Sequence, residues 1–252
     1  MRASAPYGHL VFAARSDIGR VRPHNEDAIL TAPEHAIFGV CDGLGGAEGG
    51  EEASRIVVRT VEEYLARPPL PSAMRSHAYR VLLVVQALRE AGHRIRAYAA
   101  RHGFAGMAST ATFLLFGAPA ERRVTLLHVG DTLAFRLHGD RLDRLFDPHC
   151  VEVEYGPMAR HWPPHVRQLL TRAIGIDRHE QMEPTSVEAV AGDLFLVASD
   201  GLTNMVPLPK VAELLATARS DGPGAAAQRL VEEANTAGGR DNISVVVVAV
   251  GR

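Results

Sequence analysis

Lysine is almost missing from this 252-residue sequence. Lys210 is the single lysine, so 26 of the 27 basic residues are arginine. Any enzyme class that depends on a reactive or phosphate-binding lysine would have to use Lys210. The residues before it, Val-Pro-Leu-Pro, match no P-loop, kinase or Schiff-base motif. The scarcity of lysine therefore excludes those classes.

Cysteines and long apolar runs are scarce as well. Cys41 and Cys150 are the only cysteines, which is too few for a disulfide framework, and they lack the paired spacing of a zinc site. No apolar segment is long enough to span a bilayer, and the N-terminus has no signal-peptide core. The net charge is −2 without runs of like charge, so we expect neither a nucleic-acid nor a membrane partner. These features predict a cytoplasmic protein with one domain over residues 1–252.

Three aspartates stand beside strongly apolar segments whose length and composition are typical of buried strands. The pairs of segment and acid are residues 36–41 with Asp42, residues 194–198 with Asp200, and residues 243–248 with Asp241. Buried carboxylates that lie together repel one another, and a hard divalent cation with oxygen ligands relieves the repulsion. The pattern indicates a metal centre, although each Asp-Gly taken alone is equally an ordinary turn.

The remaining pattern predicts an α+β layered fold. Apolar residues at helical spacing predict helices at residues 50–65 and 72–102, separated by prolines. Residues 147–168 contain four prolines and are expected to be irregular, whereas residues 169–174 are expected to form a short helix. Further strands are predicted at residues 9–15, 28–31, 110–116, 123–129, 133–138, 141–145 and 184–190, and further helices at residues 211–218 and 225–237.

Seven short motifs carry a family resemblance. In chain order they are Arg22–Asp27, Val40–Gly46, Gly106–Thr110, Val129–Thr132, Leu170–Gly175, Ala198–Leu202 and Arg240–Ser244. In order and spacing they resemble the motifs of the metal-dependent protein phosphatase family, often called protein phosphatase 2C. The resemblance extends from about residue 9 to residue 250. It implies a four-layer αββα sandwich of two mainly antiparallel sheets flanked by helices, with two Mn²⁺ or Mg²⁺ ions at one edge.

The resemblance also implies a role for each site residue. Asp42 would bridge both ions, Asp200 and Asp241 would complete one of them, and the carbonyl of Gly43 would bind the other. Arg22 would grip the phosphate, which suits its planar, permanently charged fork.

Further residues would stand around that centre. Glu26 and Asp27 would reach metal-bound waters, Asn242 would lie in the outer layer, and Asp131 would help to hold a third ion.

The chain departs from the family pattern at three places. Leu44 replaces a histidine of many eukaryotic relatives, which removes a general acid from that position. Leu133 stands where an arginine is common, so the surroundings of Asp131 are less certain. Residues 147–168 match the family's flap only in position and in residues 147–149, and His149 is the residue there that we expect to face the substrate.

These motifs predict a monomeric serine/threonine protein phosphatase. It would hydrolyse phosphoserine and phosphothreonine in proteins through a metal-activated water and oppose a bacterial serine/threonine kinase. One alternative is a catalytically weak pseudophosphatase that binds phosphoproteins as a regulatory module. Another is a metal-dependent hydrolase of nucleotides or nucleic acids, which the lack of a basic, aromatic-rich surface pattern disfavours.

Overall fold

The computed structural model describes residues 1, 8–67, 76–176 and 182–251. The start predicted near Ser72 for the second helix lies outside the described residues, as do the prolines expected to end the first helix. The described part of the second helix begins at His77, and the hydroxyl of Ser76 caps it by accepting from the N–H of Tyr79.

Eleven strands of the described residues form two antiparallel sheets. The first sheet has the order β1-β11-β10-β7-β8, and the second has the order β2-β3-β5-β6-β9, with β4 paired to β3. The strands are Leu10–Asp17 (β1), Asp27–Ala32 (β2), Ile37–Leu44 (β3), Ala108–Ser109 (β4), Ala111–Phe116 (β5), Arg123–Val129 (β6), Leu133–His138 (β7), Arg141–Arg144 (β8), Thr185–Glu188 (β9), Leu194–Ala198 (β10) and Ile243–Val250 (β11).

Helices cover the outer face of each sheet. They are Ala47–Leu65 (α1), His77–His102 (α2), Val151–Tyr155 (α3), Pro164–Arg167 (α4), Asp200–Thr203 (α5), Leu208–Ala216 (α6), Ala218–Asp221 (α7) and Pro223–Thr236 (α8). α1 and α2 pack on the sheet that contains β3, and α6 and α8 pack on the sheet that contains β11. The predicted αββα sandwich is therefore confirmed.

The core between the two sheets is rich in phenylalanine. Phe12 of β1 meets Phe38 of β3 with ring centroids 4.8 Å apart, and Phe116 of β5 meets Phe195 of β10 edge-on at 5.3 Å. Strand β11 serves two cores, because its successive valines alternate between the inter-sheet core and the helix-facing core. The continuous apolar run at the end of the chain is thus a central strand buried on both faces.

The prediction that residues 147–168 are irregular is wrong. It contains α3, a 3-10 segment at Gly156–His161, and α4. A proline occupies the first turn of the 3-10 segment and of α4, where its missing N–H removes no intrahelical hydrogen bond.

The prediction of a short helix at residues 169–174 is also wrong. This stretch is extended, with Leu170 bridged to Cys150 and Ile174 bridged to Ser109. The Ser109–Ile174 pair exchanges two backbone hydrogen bonds of 2.9 and 2.8 Å. A short apolar run has no decisive period of its own, so pairing with distant backbone determines its conformation.

Candidate active site

Both sheets present acidic side chains at the same edge of the sandwich. In one sheet, β10 runs towards Asp200, and its antiparallel neighbour β11 begins just after Asp241. In the other sheet, Asp42 on β3 lies opposite Asp27 on β2. The Ser199 hydroxyl joins the two sheets by donating to Asp27 Oδ2 over 2.8 Å. The acids predicted at strand ends are therefore brought together by strands of both sheets, although β3 continues through Asp42 instead of ending before it.

Burial and mutual repulsion control the protonation of this cluster. Loss of hydration, followed by the charge of Asp27, raises the pKa of Asp42 well above its usual value. Burial, followed by the charge of Asp131, raises the pKa of Asp200 to about 8. Burial also raises the pKa of Asp27 and that of Asp131 to about 6. Since each of these residues keeps a partly accessible face, a cation from solvent can reach the cluster and relieve the repulsion.

Buried threonines fix the backbone of Asp42. Its N–H donates to Thr110 Oγ1 over 2.8 Å, and the N–H of Thr110 donates to the carbonyl of Asp42 over 2.8 Å. The Thr110 hydroxyl also lies 2.6 Å from that of Thr132, the residue that follows Asp131. The positions of Asp42 and Asp131 are therefore linked through two hydroxyl groups.

Sequence analysis did not identify these hydroxyl residues as part of the site. Ser199 and Thr132 are each adjacent in sequence to a strand-end acid, which is the feature that would have revealed them. Thr110 has no such neighbour, and although it ends one of the seven motifs, its role becomes clear only through its contact with β3.

Asn242 holds the loop that carries the remaining candidate residues. Its Nδ2 donates to the carbonyls of Ile18 and His24, both over 2.9 Å, and its Oδ1 accepts from the N–H of Glu26 over 2.8 Å. The side chain is buried. Asn242 therefore fixes the ends of the segment in which Arg22 lies.

Arg22 reaches back to the acidic cluster. Its Nη2 donates to Asp241 Oδ2 over 2.7 Å, and this hydrogen bond raises the pKa of the guanidinium. The Arg22 side chain is 48% exposed and that of Asp241 is 32% exposed. The guanidinium thus lies at the accessible mouth of the cluster, where an incoming anion would meet it.

Glycines allow the start of α1 to approach the cluster closely. A Cβ on Gly43 would lie 1.9 Å from the carbonyl oxygen of Gly50, and a Cβ on Gly50 would lie 2.0 Å from Glu26 Oε2. The N–H of Gly43 donates to the carbonyl of Glu26 over 3.0 Å. Burial raises the pKa of Glu26. Backbone and carboxylate oxygens are therefore packed together beside Asp42.

The residues present fit hydrated divalent cations. Among the described residues, no three carboxylate, imidazole or thiolate groups lie close enough to hold one ion by side chains alone. Mg²⁺ does not need such a cage, because it commonly binds through one or two carboxylates and keeps several waters. Within the same described part, Asp27 Oδ1 is buried without a hydrogen-bond partner. An acidic cluster with few preformed contacts is suited to ions that retain much of their water.

His149 lies at the root of the flap, beside Asp131. The N–H of Gly130 donates to His149 Nδ1 over 3.1 Å, and the N–H of His149 donates to the carbonyl of Gly130 over 2.7 Å. The His149 ring stacks on His128 with centroids 4.5 Å apart. These contacts attach the flap to the end of β6 and give His149 a positioning role that its sequence did not reveal.

Solved structures with the same fold include a serine/threonine phosphatase. PppA of Pseudomonas aeruginosa, described as a regulatory component of T6SS, superposes with a TM-score of 0.82 at 29% identity, covering 95% of this chain and 97% of that one. The catalytic domain of the serine/threonine phosphatase PstP, solved with two manganese ions, superposes with a TM-score of 0.78 at 29% identity, covering 96% and 99%. The sandwich and its acidic edge therefore define a phosphatase.

Sequence comparison identifies the family. The family model for protein phosphatase 2C matches residues 20–233. The serine/threonine phosphatase Stp of Listeria innocua is 30% identical over 243 residues, covering 93% of both chains. PstP of Mycobacterium tuberculosis is 33% identical over 256 residues, which is 96% of this chain and 45% of that one. The chain belongs to the protein phosphatase 2C family and is an enzyme of that family, as its motifs predicted. No helix among the described residues has the length and apolar content needed to cross a membrane.

Proposed function

We propose that this protein hydrolyses phosphoserine and phosphothreonine in proteins and thereby opposes a serine/threonine kinase. The observation that carries the proposal is the cluster of Asp27, Asp42, Asp131, Asp200 and Asp241, in which Asp27 lies opposite Asp42 on paired strands and neighbouring charges help to raise the pKa values of Asp27, Asp42 and Asp200. A module that only bound phosphoproteins would gain nothing from acids that repel both one another and a phosphate. The cluster therefore favours the enzyme over the pseudophosphatase.

Mn²⁺ or Mg²⁺ would be held by residues from both sheets. Asp42 would contribute to both ions, Asp200 and Asp241 to one, and the Gly43 carbonyl to the other, in part through waters that the ions retain. Asp131 would contribute to a third. Bound there, the ions would supply the charge that neutralises the acids and activates water for attack on phosphorus.

The other side chains would orient the substrate and the solvent. Arg22 would pair with the phosphate through its exposed guanidinium. Glu26 and Asp27 would accept hydrogen bonds from waters in the site, and Asn242 would keep Glu26 in place. Leu44 brings no proton donor to the leaving oxygen, so the proton must come from solvent held in the site.

The physiological partners would be phosphorylated proteins, including the kinase that the enzyme opposes, and the catalytic unit would act as a monomer. The names of the relatives support the substrate class, because Stp and PstP are serine/threonine phosphatases. The kinase and the monomeric state are our own expectations.

The experiment is to measure phosphate release from a phosphothreonine peptide in Mn²⁺, with and without an excess of chelator. We expect turnover that disappears in chelator and returns when Mn²⁺ is restored. Undiminished turnover in chelator would contradict a metal-dependent mechanism. Specific binding of the peptide without turnover at any Mn²⁺ concentration would favour the phosphoprotein-binding module instead.

A further inference from the structure

A cavity opens beside the acidic cluster, between the flap and the end of β6. Its volume is about 520 Å³. Leu126, His128, Phe146, His149, Glu154 and Glu183 are among the residues that line it. Since His149 is hydrogen-bonded to Gly130, the residue before Asp131, this cavity adjoins the proposed active site. We call it the side pocket.

Three aromatic rings form a continuous stack in the wall of the side pocket. His128 lies between Phe146, at a centroid distance of 3.7 Å, and His149, at 4.5 Å. All three residues are partly exposed. Burial lowers the pKa of His128 to about 2 and that of His149 to about 4, so both imidazoles are neutral at ordinary pH. The stack therefore offers uncharged π faces and carries no positive charge.

The hydrogen bonds of His128 fix its tautomer and hold its ring in this wall. The Thr112 hydroxyl donates its single proton to the carbonyl of Thr132 over 2.7 Å, so it must accept from His128 Nδ1, 2.9 Å away. Nε2 of His128 then carries a lone pair and no proton. In the described part of the chain, this Nε2 is buried without a partner.

The charged residues of the side pocket are mainly acidic. Asp147 is paired with Arg144, whereas Glu154 and Glu183 form no ion pair within the described residues. Within the described ranges, Arg172 is the one basic residue in the lining. Unpaired carboxylates and aromatic faces together suit a cation that has only hydrogen-bond donors, and a guanidinium also stacks on aromatic rings.

We propose that the side pocket binds a basic side chain, preferably arginine, of the phosphorylated polypeptide, and so selects substrates with arginine near the phosphorylated residue. This inference rests on the proposed phosphatase function and adds a sequence preference to it. His128 lies three residues before Asp131 on the chain, so their Cα atoms are at most about 10 Å apart. An extended peptide covers the same span in about three residues. The arginine is therefore expected two to five residues from the phosphorylated position.

The kinetic test is an arginine scan of a phosphothreonine peptide with alanine flanks. We expect KM to fall about fivefold when arginine occupies the preferred position, the size expected of one or two partly exposed ion pairs. The double variant Glu154→Gln/Glu183→Gln should abolish this gain and leave KM for the alanine peptide unchanged. Arg172→Gln should lower KM for the arginine peptide further, because it removes the opposing charge.

A matched control is available on α3, the helix that carries Glu154. Glu152 is paired with Arg167 over 3.0 Å and is not part of the side pocket. Glu152→Gln should leave the preference for arginine unchanged. Absence of any preference in the wild type, or an equal rise in KM for both peptides in the double variant, would overturn the proposal.

A binding measurement separates this proposal from the phosphatase function. N-acetyl-arginine amide is titrated into the protein, and amide NMR shifts of Gly130, His149 and Glu154 are followed against the uncharged analogue N-acetyl-citrulline amide. We expect saturable shifts with the arginine compound only, and their loss in the double variant. Equal response to both compounds would overturn the side-pocket proposal even if phosphopeptides are hydrolysed. Arginine-specific shifts without phosphopeptide hydrolysis would overturn the phosphatase proposal alone.

Discussion

The residue that most clearly combines two tasks is Arg22. It belongs to the site by its contact with Asp241, yet both side chains are partly exposed, and such ion pairs contribute only about 0–1 kcal/mol to stability. We therefore propose that the main task of the guanidinium is to bind the phosphate of the substrate. Its contribution to folding is small.

Changing Arg22 to Ala should separate these two tasks. We expect KM for a phosphothreonine peptide to rise about tenfold or more, because a bidentate contact with phosphate is lost. The melting temperature should fall by no more than about 4 °C, the shift expected from about 1 kcal/mol in a domain of this size. Arg22→Lys keeps the charge and loses the planar fork, so its KM should lie between that of the wild type and that of Arg22→Ala. Unchanged KM in Arg22→Ala would remove this residue from the site.

Asn242, unlike Arg22, should contribute mainly to stability, because its buried side chain makes three hydrogen bonds within the protein. Asn242→Ala leaves the carbonyls of Ile18 and His24 and the N–H of Glu26 without partners, which should reduce the free energy of unfolding by about 3 kcal/mol. Denaturant unfolding measures this loss. The matched control is Asn235→Ala, because Asn235 donates one hydrogen bond, of 3.1 Å, to Asp17. A loss in the control as large as that in Asn242→Ala would refute the specific role of Asn242.

At the scale of single residues, the sequence predicts the charged side chains of the site better than it predicts their hydrogen-bond partners. Asp42, Asp200 and Asp241 were found because each adjoins an apolar strand. Thr110 and its contact with Thr132 were not found, because a hydroxyl group that bonds across the fold leaves no local pattern. The pairing of Arg22 with Asp241 joins residues 219 positions apart and was equally invisible.

Among the elements, the flap differs most from its prediction. It was expected to be irregular, but it is built of α3, a 3-10 segment and α4. Its surface is unusually apolar, since Val153, Tyr155, Met158 and Trp162 are exposed by 38 to 70%. Exposed aromatic and methionine side chains in one segment are typical of surfaces that contact other polypeptides.

Removing the flap should therefore impair protein substrates alone. The N–H of Val151 donates to the carbonyl of Leu169 over 2.9 Å, so the ends of the segment are adjacent. Replacing residues 152–168 by Asn-Gly closes them with a tight turn. We expect KM for a phosphoprotein to rise and hydrolysis of a small aryl phosphate to stay within about threefold, because remote binding alone is lost.

Asp131→Ala provides the comparison for the flap variant. Because the charge of Asp131 raises the pKa values of Asp42 and Asp200, this change should alter the dependence on Mn²⁺ for both substrates alike. If the shortened flap reduced both activities equally, the flap would be part of the catalytic centre and its recognition role would have to be abandoned.

In the whole molecule, the carboxylates that repel one another lie at one edge of the sandwich. The strands that carry the acids belong to two sheets, and the core of phenylalanines between them fixes their separation. The layered fold could be predicted because strands are grouped with strands and helices with helices, and from the family motifs. The extended path of residues 169–174 could not, because its partners, Ser109 and Cys150, lie far away or in a segment whose helices were themselves unpredicted.

An acid at the opposite end of β10 shows what a purely structural carboxylate looks like. Asp193 has no exposed side-chain surface, and it is paired with Arg136 and His138, both at 2.7 Å. Its charge is matched from within the protein. The charge of Asp42, by contrast, is surrounded by further acids.

The most direct test of the metal centre is the effect of Mn²⁺ on the melting temperature of Asp42→Asn, with Mn²⁺ binding measured by calorimetry. Without metal, Asp42→Asn should melt about 2–4 °C above the wild type, because repulsion worth about 1 kcal/mol is removed. Mn²⁺ should raise the melting temperature of the wild type only, and the binding heat should vanish in the variant. Asp193→Asn should instead melt lower and still bind Mn²⁺, since it breaks a buried pair. A metal-free Asp42→Asn that melts below the wild type, or that binds Mn²⁺ as the wild type does, would contradict a metal centre built on Asp42.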